Sequence, residues 1–125
     1  MRRTDQRRAA VFALYQSEVT GREPAEQLDH DATAFTRELV DGTAVHRGEI
    51  DELIARHAHG WALDRIAPLE RNIMRVAAYE LLHRPDVPAE VAIDEAVETA
   101  KELCSADAPG FVNGILGAVE REEVA

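Results

Sequence analysis

Residues 69–82 read LERNIMRVAAYELL, and this stretch decides the fold. It is apolar on nearly every side: Leu69, Ile73, Met74, Val76, Ala77, Leu81 and Leu82 leave no continuous polar face. A helix with one apolar stripe lies at a surface, whereas one apolar all round must be covered by neighbours. The stretch therefore predicts the central, most buried helix of a bundle. Pro68 suits its first turn, where the missing N–H has no helical partner anyway. HRPDVP, residues 83–88, ends it, because proline neither donates to the ladder nor fits inside it.

Outward from this helix, apolar spacing stays helical and β-type alternation is absent. Upstream, Phe35, Leu39, Thr43, His46, Ile50, Leu53, Ile54 and His57 form one stripe of about six turns. Gly42 inside it either weakens the helix or permits close packing. Gly60 reads as a helix-ending glycine, and WALDRIAPL (61–69) as a turn. Downstream, Ile93, Ala96, Val97, Ala100 and Cys104 form a second stripe. SADAPG (105–110) is a loop with Asp107 as a cap candidate. Val112, Ile115, Leu116 and Val119 face inward from a last helix. A first helix starts near Thr4 or Asp5, both possible caps, with Val11, Leu14, Tyr15 and Val19 on its stripe; TGREPAEQL (20–28) ends it. The expectation is an all-α bundle of six to seven helices, one domain over residues 1–125, without strands.

The charge is uneven. The chain has 125 residues and a formal net charge of −10. Residues 1–22 hold five arginines against Asp5 and Glu18, a net of +3, which leaves −13 on the rest. A body this acidic has no general affinity for polyanions, so any nucleic-acid contact must be local to the N-terminal patch. Arg7, and less squarely Arg3, continue the apolar stripe of the first helix, while Arg8 lies on its flank. An arginine so placed either lays its stem on the core edge or meets an anion held against the protein. Glu80 raises the complementary question: it falls among Ile73, Val76 and Ala77, and a carboxylate there needs a partner or a route to the surface.

No catalytic constellation is present: no phosphate-binding glycine loop, no G-x-S-x-G, no C-x-x-C. Cys104, the single cysteine, lies on an apolar stripe and reads as a structural thiol. The five histidines lack ligand spacing: His57 and His59 lie on different faces, and His46 and His57 are three turns apart. No metal, cofactor or catalytic residue is expected. No apolar run reaches the roughly 18 residues of a membrane span, and with no secretory leader the chain reads as cytoplasmic. At the start of the last helix, free N–H groups near Gly110 and Phe111 favour an anion. Phe111 there either stacks a base or packs on a neighbour. Asn113 either bonds a base edge or the backbone.

Four stretches in order resemble the NusB family of bacterial transcription antitermination factors: RRAAVFALYQSE (7–18), WALDRIAPLERNIMRVAAYELL (61–82), VPAEVAIDEAVETAKEL (87–103) and FVNGIL (111–116). Residues 24–50 match only in helical pattern. The resemblance implies two small helical subdomains in one compact unit, and a non-catalytic factor without cofactor. It implies binding of boxA single-stranded RNA of nascent ribosomal transcripts together with the ribosomal protein NusE, and loading onto the RNA polymerase antitermination complex. By position it implies RNA contacts from Arg2, Arg3, Arg7, Arg8, Asp107, Phe111 and Asn113, and NusE contacts from Tyr15 and Glu80. Thr4 and Asp5 interrupt the arginine run, Gly110 replaces a common basic residue and Asp94 a common Asn. These departures imply weak RNA binding alone and greater dependence on NusE. The mechanism expected is one modest positive groove shared by both ends of the chain. Two other readings stay open: the RNA-binding domain of a ribosomal RNA methyltransferase, and a helical adaptor that binds only proteins. A homodimer that masks the RNA site is also open.

Overall fold

The computed structural model describes residues 1–124 and contains six α-helices. They are α1 (Arg3–Thr20), α2 (Ala34–Val45), α3 (Arg47–His57), α4 (Pro68–His83), α5 (Ala89–Leu103) and α6 (Ala108–Val124). Short 3-10 turns span Pro24–Gln27 and Leu63–Arg65, within the two segments read as turns. No strand occurs among the described residues.

The helix α4 is central, as its all-round apolarity requires: it packs on α1, α2, α3, α5 and α6. Every residue from Asn72 to Glu80 is buried. One apolar cluster draws on all six helices, with Leu39, Ile50, Ile54, Met74 and Leu116 fully enclosed. Each such side chain contributes roughly 1.5–3 kcal/mol, more than any exposed ion pair, so the fold rests on this core. Chain punctuation follows local chemistry. Gly21 takes φ 75° and returns its N–H to the Ser17 carbonyl, and Gly60 takes φ 83°. Both are left-handed positions that glycine adopts without a Cβ penalty. The Thr33 hydroxyl caps α2 by accepting from the Thr36 N–H.

Two expectations are corrected. The six-turn stripe from Phe35 to His57 is two helices, broken at His46, whose backbone (φ −98°, ψ 15°) leaves helical geometry. Hydrogen bonds still cross the break, from His46 N to Gly42 O and from Ile50 N to His46 O. The stripe therefore keeps its apolar face while changing direction. The helix α1 starts at Arg3, without a side-chain cap; the Thr4 hydroxyl donates to Glu95 on α5 instead.

An ionic network ties α1, α3 and α4 together beneath the surface. Arg75, 3% exposed, donates to both oxygens of Asp51 at 2.7 and 3.0 Å and also to Glu18. Arg71 and Asn72 donate to the same Glu18 carboxylate. Burial alone would raise the Glu18 pKa, but Arg71 and Arg75 outweigh it and hold it below the ordinary 4.5. A carboxyl depressed in the folded state contributes stability above its unfolded value and loses it as pH falls through its folded value. The thermal midpoint should therefore drop on acidification below about pH 4.5. Glu18→Gln should lower the midpoint at neutral pH and flatten this acid limb relative to wild type, as read by thermal melts from about pH 7 to pH 3.

Candidate nucleic-acid interface

The four leading arginines do not act alike. Arg7 is 7% exposed, and its Nε and Nη2 donate to both Glu80 oxygens at 2.8–3.1 Å, with Glu80 itself only 1% exposed. This corrects two expectations at once. Arg7 is not presented to a phosphate, and Glu80 is not presented to a partner, because each satisfies the other inside the bundle. The anion that Arg7 meets is the protein's own. Arg8 donates to Glu102 on α5 at 2.7 Å, which raises its pKa and lowers that of Glu102. Arg2 is exposed, with Asp5 one turn away at 3.5 Å. Arg3 is exposed, and its guanidinium lies over the Phe35 ring at 4.0 Å. It makes no salt bridge among the described residues, so it is the least neutralised of the four.

The expected single cationic groove is not what the helices build. Between α1 and α5 runs a depression of about 610 Å³ whose basic lining is Arg2 and Arg8. Asp5, Asp94, Glu95, Glu98 and Glu102 line the same walls. Two cations against five carboxylates repel a phosphodiester strand from the floor of this groove. The start of α6 opens onto a different depression, of about 300 Å³, lined by Trp61, Arg65, Ile66, Glu70, Asp107 and Phe111 among others. The two share no lining residue.

This second depression also has more carboxylates than cations, Glu70 and Asp107 against Arg65, and is distinguished instead by its aromatic surface. Phe111 is half-buried, packed against the core on one side, and meets Trp61 edge-on with ring centroids 6.2 Å apart. Trp61 is 57% exposed. Exposed aromatic surface beside a cation, here Arg65, suits an unstacked base and its phosphate. Trp61 and Arg65 were missed in the sequence. An exposed tryptophan just after a left-handed glycine was the available signal, since a large apolar ring outside the core is the informative case. The helix terminus itself is a weak anion seat. Pro109 has no N–H, and the Ala108 N–H is taken by the Ser105 carbonyl. The Asp107 carboxylate is exposed and makes no capping bond among the described residues, so it repels phosphate and accepts only from donors. Asn113 is exposed, and its side chain is likewise without a hydrogen bond among those residues.

Tyr15 is half-buried on the face of α1 that also carries Phe12, 41% exposed, and Val19, 67% exposed. Cys104 is half-buried, and burial together with nearby Glu70 pushes its thiol pKa up, against nucleophilic use. No helix among the described residues is long and apolar enough to cross a membrane.

Comparison with known proteins places these features in context. The NusB family profile matches residues 4–121. The transcription antitermination protein NusB of Myxococcus xanthus (strain DK1622) is 44% identical over 131 aligned residues, covering 94% of this chain and 93% of that protein. The T. maritima NusB structure superposes with a TM-score of 0.91 at 34% identity, covering all of this chain and 94% of the other. A crystal structure of antitermination factors NusB and NusE in complex with dsRNA matches with a TM-score of 0.85 at 28% identity, covering 96% of each chain.

Proposed function

The chain belongs to the NusB family, and from that membership we propose that it is a transcription antitermination factor acting by binding alone. It holds single-stranded boxA RNA of a nascent ribosomal transcript together with NusE, and travels with both on RNA polymerase in the cytoplasm. The observation that carries the RNA assignment is the exposed Trp61 ring set edge-on to half-buried Phe111 in the depression that Arg65 also lines. One or two bases stack there, Asn113 reads a base edge, and Asp107 accepts from a base amino group or a ribose hydroxyl. Arg2 and Arg3 hold phosphates at the rim of the first helix. NusE seats on the outer face of α1 at Phe12, Tyr15 and Val19 and covers the acidic groove that RNA alone avoids. The methyltransferase reading is disfavoured, since the M. xanthus protein matched over 93% of its length carries the name of a transcription antitermination protein.

The chain's single tryptophan makes the test direct. Titration with boxA-type RNA should quench Trp61 fluorescence, and addition of NusE should tighten binding. Phe111→Ala should weaken RNA binding by about 5- to 150-fold, the range for one lost base–aromatic stack of 1–3 kcal/mol, with helicity retained. With Arg7 buried and Arg8 paired, Arg2, Arg3 and Arg65 remain to neutralise phosphates. The slope of log K against log salt should then be about −2, shallower than the roughly −3.5 of a contact that also engaged Arg7 and Arg8. An adaptor that binds only proteins would show no quenching at any salt concentration.

A further inference from the structure

We propose that His46, Glu49 and His83 form a binding site for a divalent transition-metal cation of the Zn²⁺ or Ni²⁺ type. The three residues come from three places in the fold: the break between α2 and α3, the first turn of α3, and the last turn of α4. One ligand atom from each lies within 4.8 Å of the other two. The Glu49 Oε1 is 2.9 Å from His83 Nε2 and 3.8 Å from His46 Nδ1. Tetrahedral zinc with bonds of about 2.1 Å needs its ligand atoms about 3.4 Å apart, and the two observed separations bracket that value. Ligation requires the half-exposed Glu49 side chain to rotate and the two imidazoles to turn so that a nitrogen of each aims at one ion.

The imidazoles are already neighbours before any ion arrives, and they leave their stack to ligate it. The His46 and His83 rings stack with centroids 3.8 Å apart and planes 22° apart, and Tyr79 flanks His83 at 5.5 Å. Two imidazoles and one carboxylate suit zinc or nickel and disfavour magnesium, which prefers all-oxygen shells. Side-chain exposures of 40%, 54% and 29% for His46, Glu49 and His83 let solvent complete the coordination. The strongly acidic body draws cations toward it. Spacing along the chain could not reveal the site, because His46 and His83 meet only through the packing of α2 and α3 on α4.

The test is calorimetric titration of the untagged full-length chain with ZnCl₂ and NiCl₂. One equivalent should bind, MgCl₂ should not compete, and His46→Gln or His83→Gln should each weaken binding at least tenfold. His57→Gln is the control, since His57 faces Glu122 in a separate pair and should leave binding unchanged. Ni²⁺ should also broaden the ring resonances of His46 and His83 in wild-type protein, a readout that survives if a variant folds poorly. Absence of binding, binding that persists undiminished in both His46 and His83 variants, or broadening centred on His57 would each overturn the proposal.

Discussion

Glu80→Lys should lower stability by about 3–5 kcal/mol, enough to unfold a marginal domain of this size. Glu80 is 1% exposed and receives three hydrogen-bond contacts from Arg7, itself 7% exposed. Replacing the carboxylate by an ammonium leaves the guanidinium unpaired and sets a second cation beside it. Glu95 is the remaining carboxylate within reach, 3.9 Å from Arg7 Nη1, too distant to substitute for a two-pronged bond. Urea denaturation should show the loss directly, and Arg7→Ala should be comparably damaging. Replacing both residues, as Arg7→Met with Glu80→Leu, should recover much of the deficit. Two apolar groups of similar volume need no partner, and such swaps are often neutral. A surface contact for NusE would behave otherwise: Glu80→Lys would keep its urea midpoint within about 0.5 kcal/mol and lose only partner binding. A fully stable Glu80→Lys protein would therefore remove the buried pair from the account of this fold.

The pair also shows how far the sequence could be read. Arg7 was legible as an arginine on an apolar stripe, and Glu80 as an acid on a buried helix. Each demanded a counter-charge, yet nothing in spacing says that residues 73 apart meet. Pattern reading locates an unsatisfied group; only packing supplies its partner. The same limit explains His46. Its place on an apolar stripe was visible, but the break there is set by how α2 and α3 each lie on α4, not by a local proline. The RNA side divides likewise. Phe111 and Asn113 stood out against the inward face of α6, whereas the value of Trp61 depends on its edge-on approach to Phe111, 50 residues away. The groove failed as a prediction because it counted the arginines of α1 without the acids of α5. Asp94, Glu95, Glu98 and Glu102 line the same depression, so the fold turns part of the acidic face of α5 onto the arginines.

Gly42→Ala should also destabilise the protein, by about 1–3 kcal/mol, against the usual sign of such a change. In a helix, glycine to alanine normally stabilises by about 1 kcal/mol, since alanine loses less backbone freedom. At Gly48 and Gly114 an added Cβ would meet nothing within 4 Å, so alanine there should follow that rule. At Gly42 it would lie 2.3 Å from Cε1 and Cζ of Tyr79 and 2.6 Å from its hydroxyl. Tyr79 cannot swing aside cheaply: it is 7% exposed, its hydroxyl donates to Glu38 at 3.0 Å, and its ring lies alongside His83. Relief requires α2 to move off α4 or the ring to leave its pocket, and either change opens space in the core. Comparing the urea midpoints of the three alanine variants separates propensity from packing within one protein. Tyr79→Leu should cost stability alone but less in the Gly42→Ala background, because there the loss of the ring also relieves the clash. If Gly42→Ala proves as stable as Gly48→Ala, the close approach of α2 to the Tyr79 ring is wrong, and the seat it gives His83 beside His46 is wrong with it.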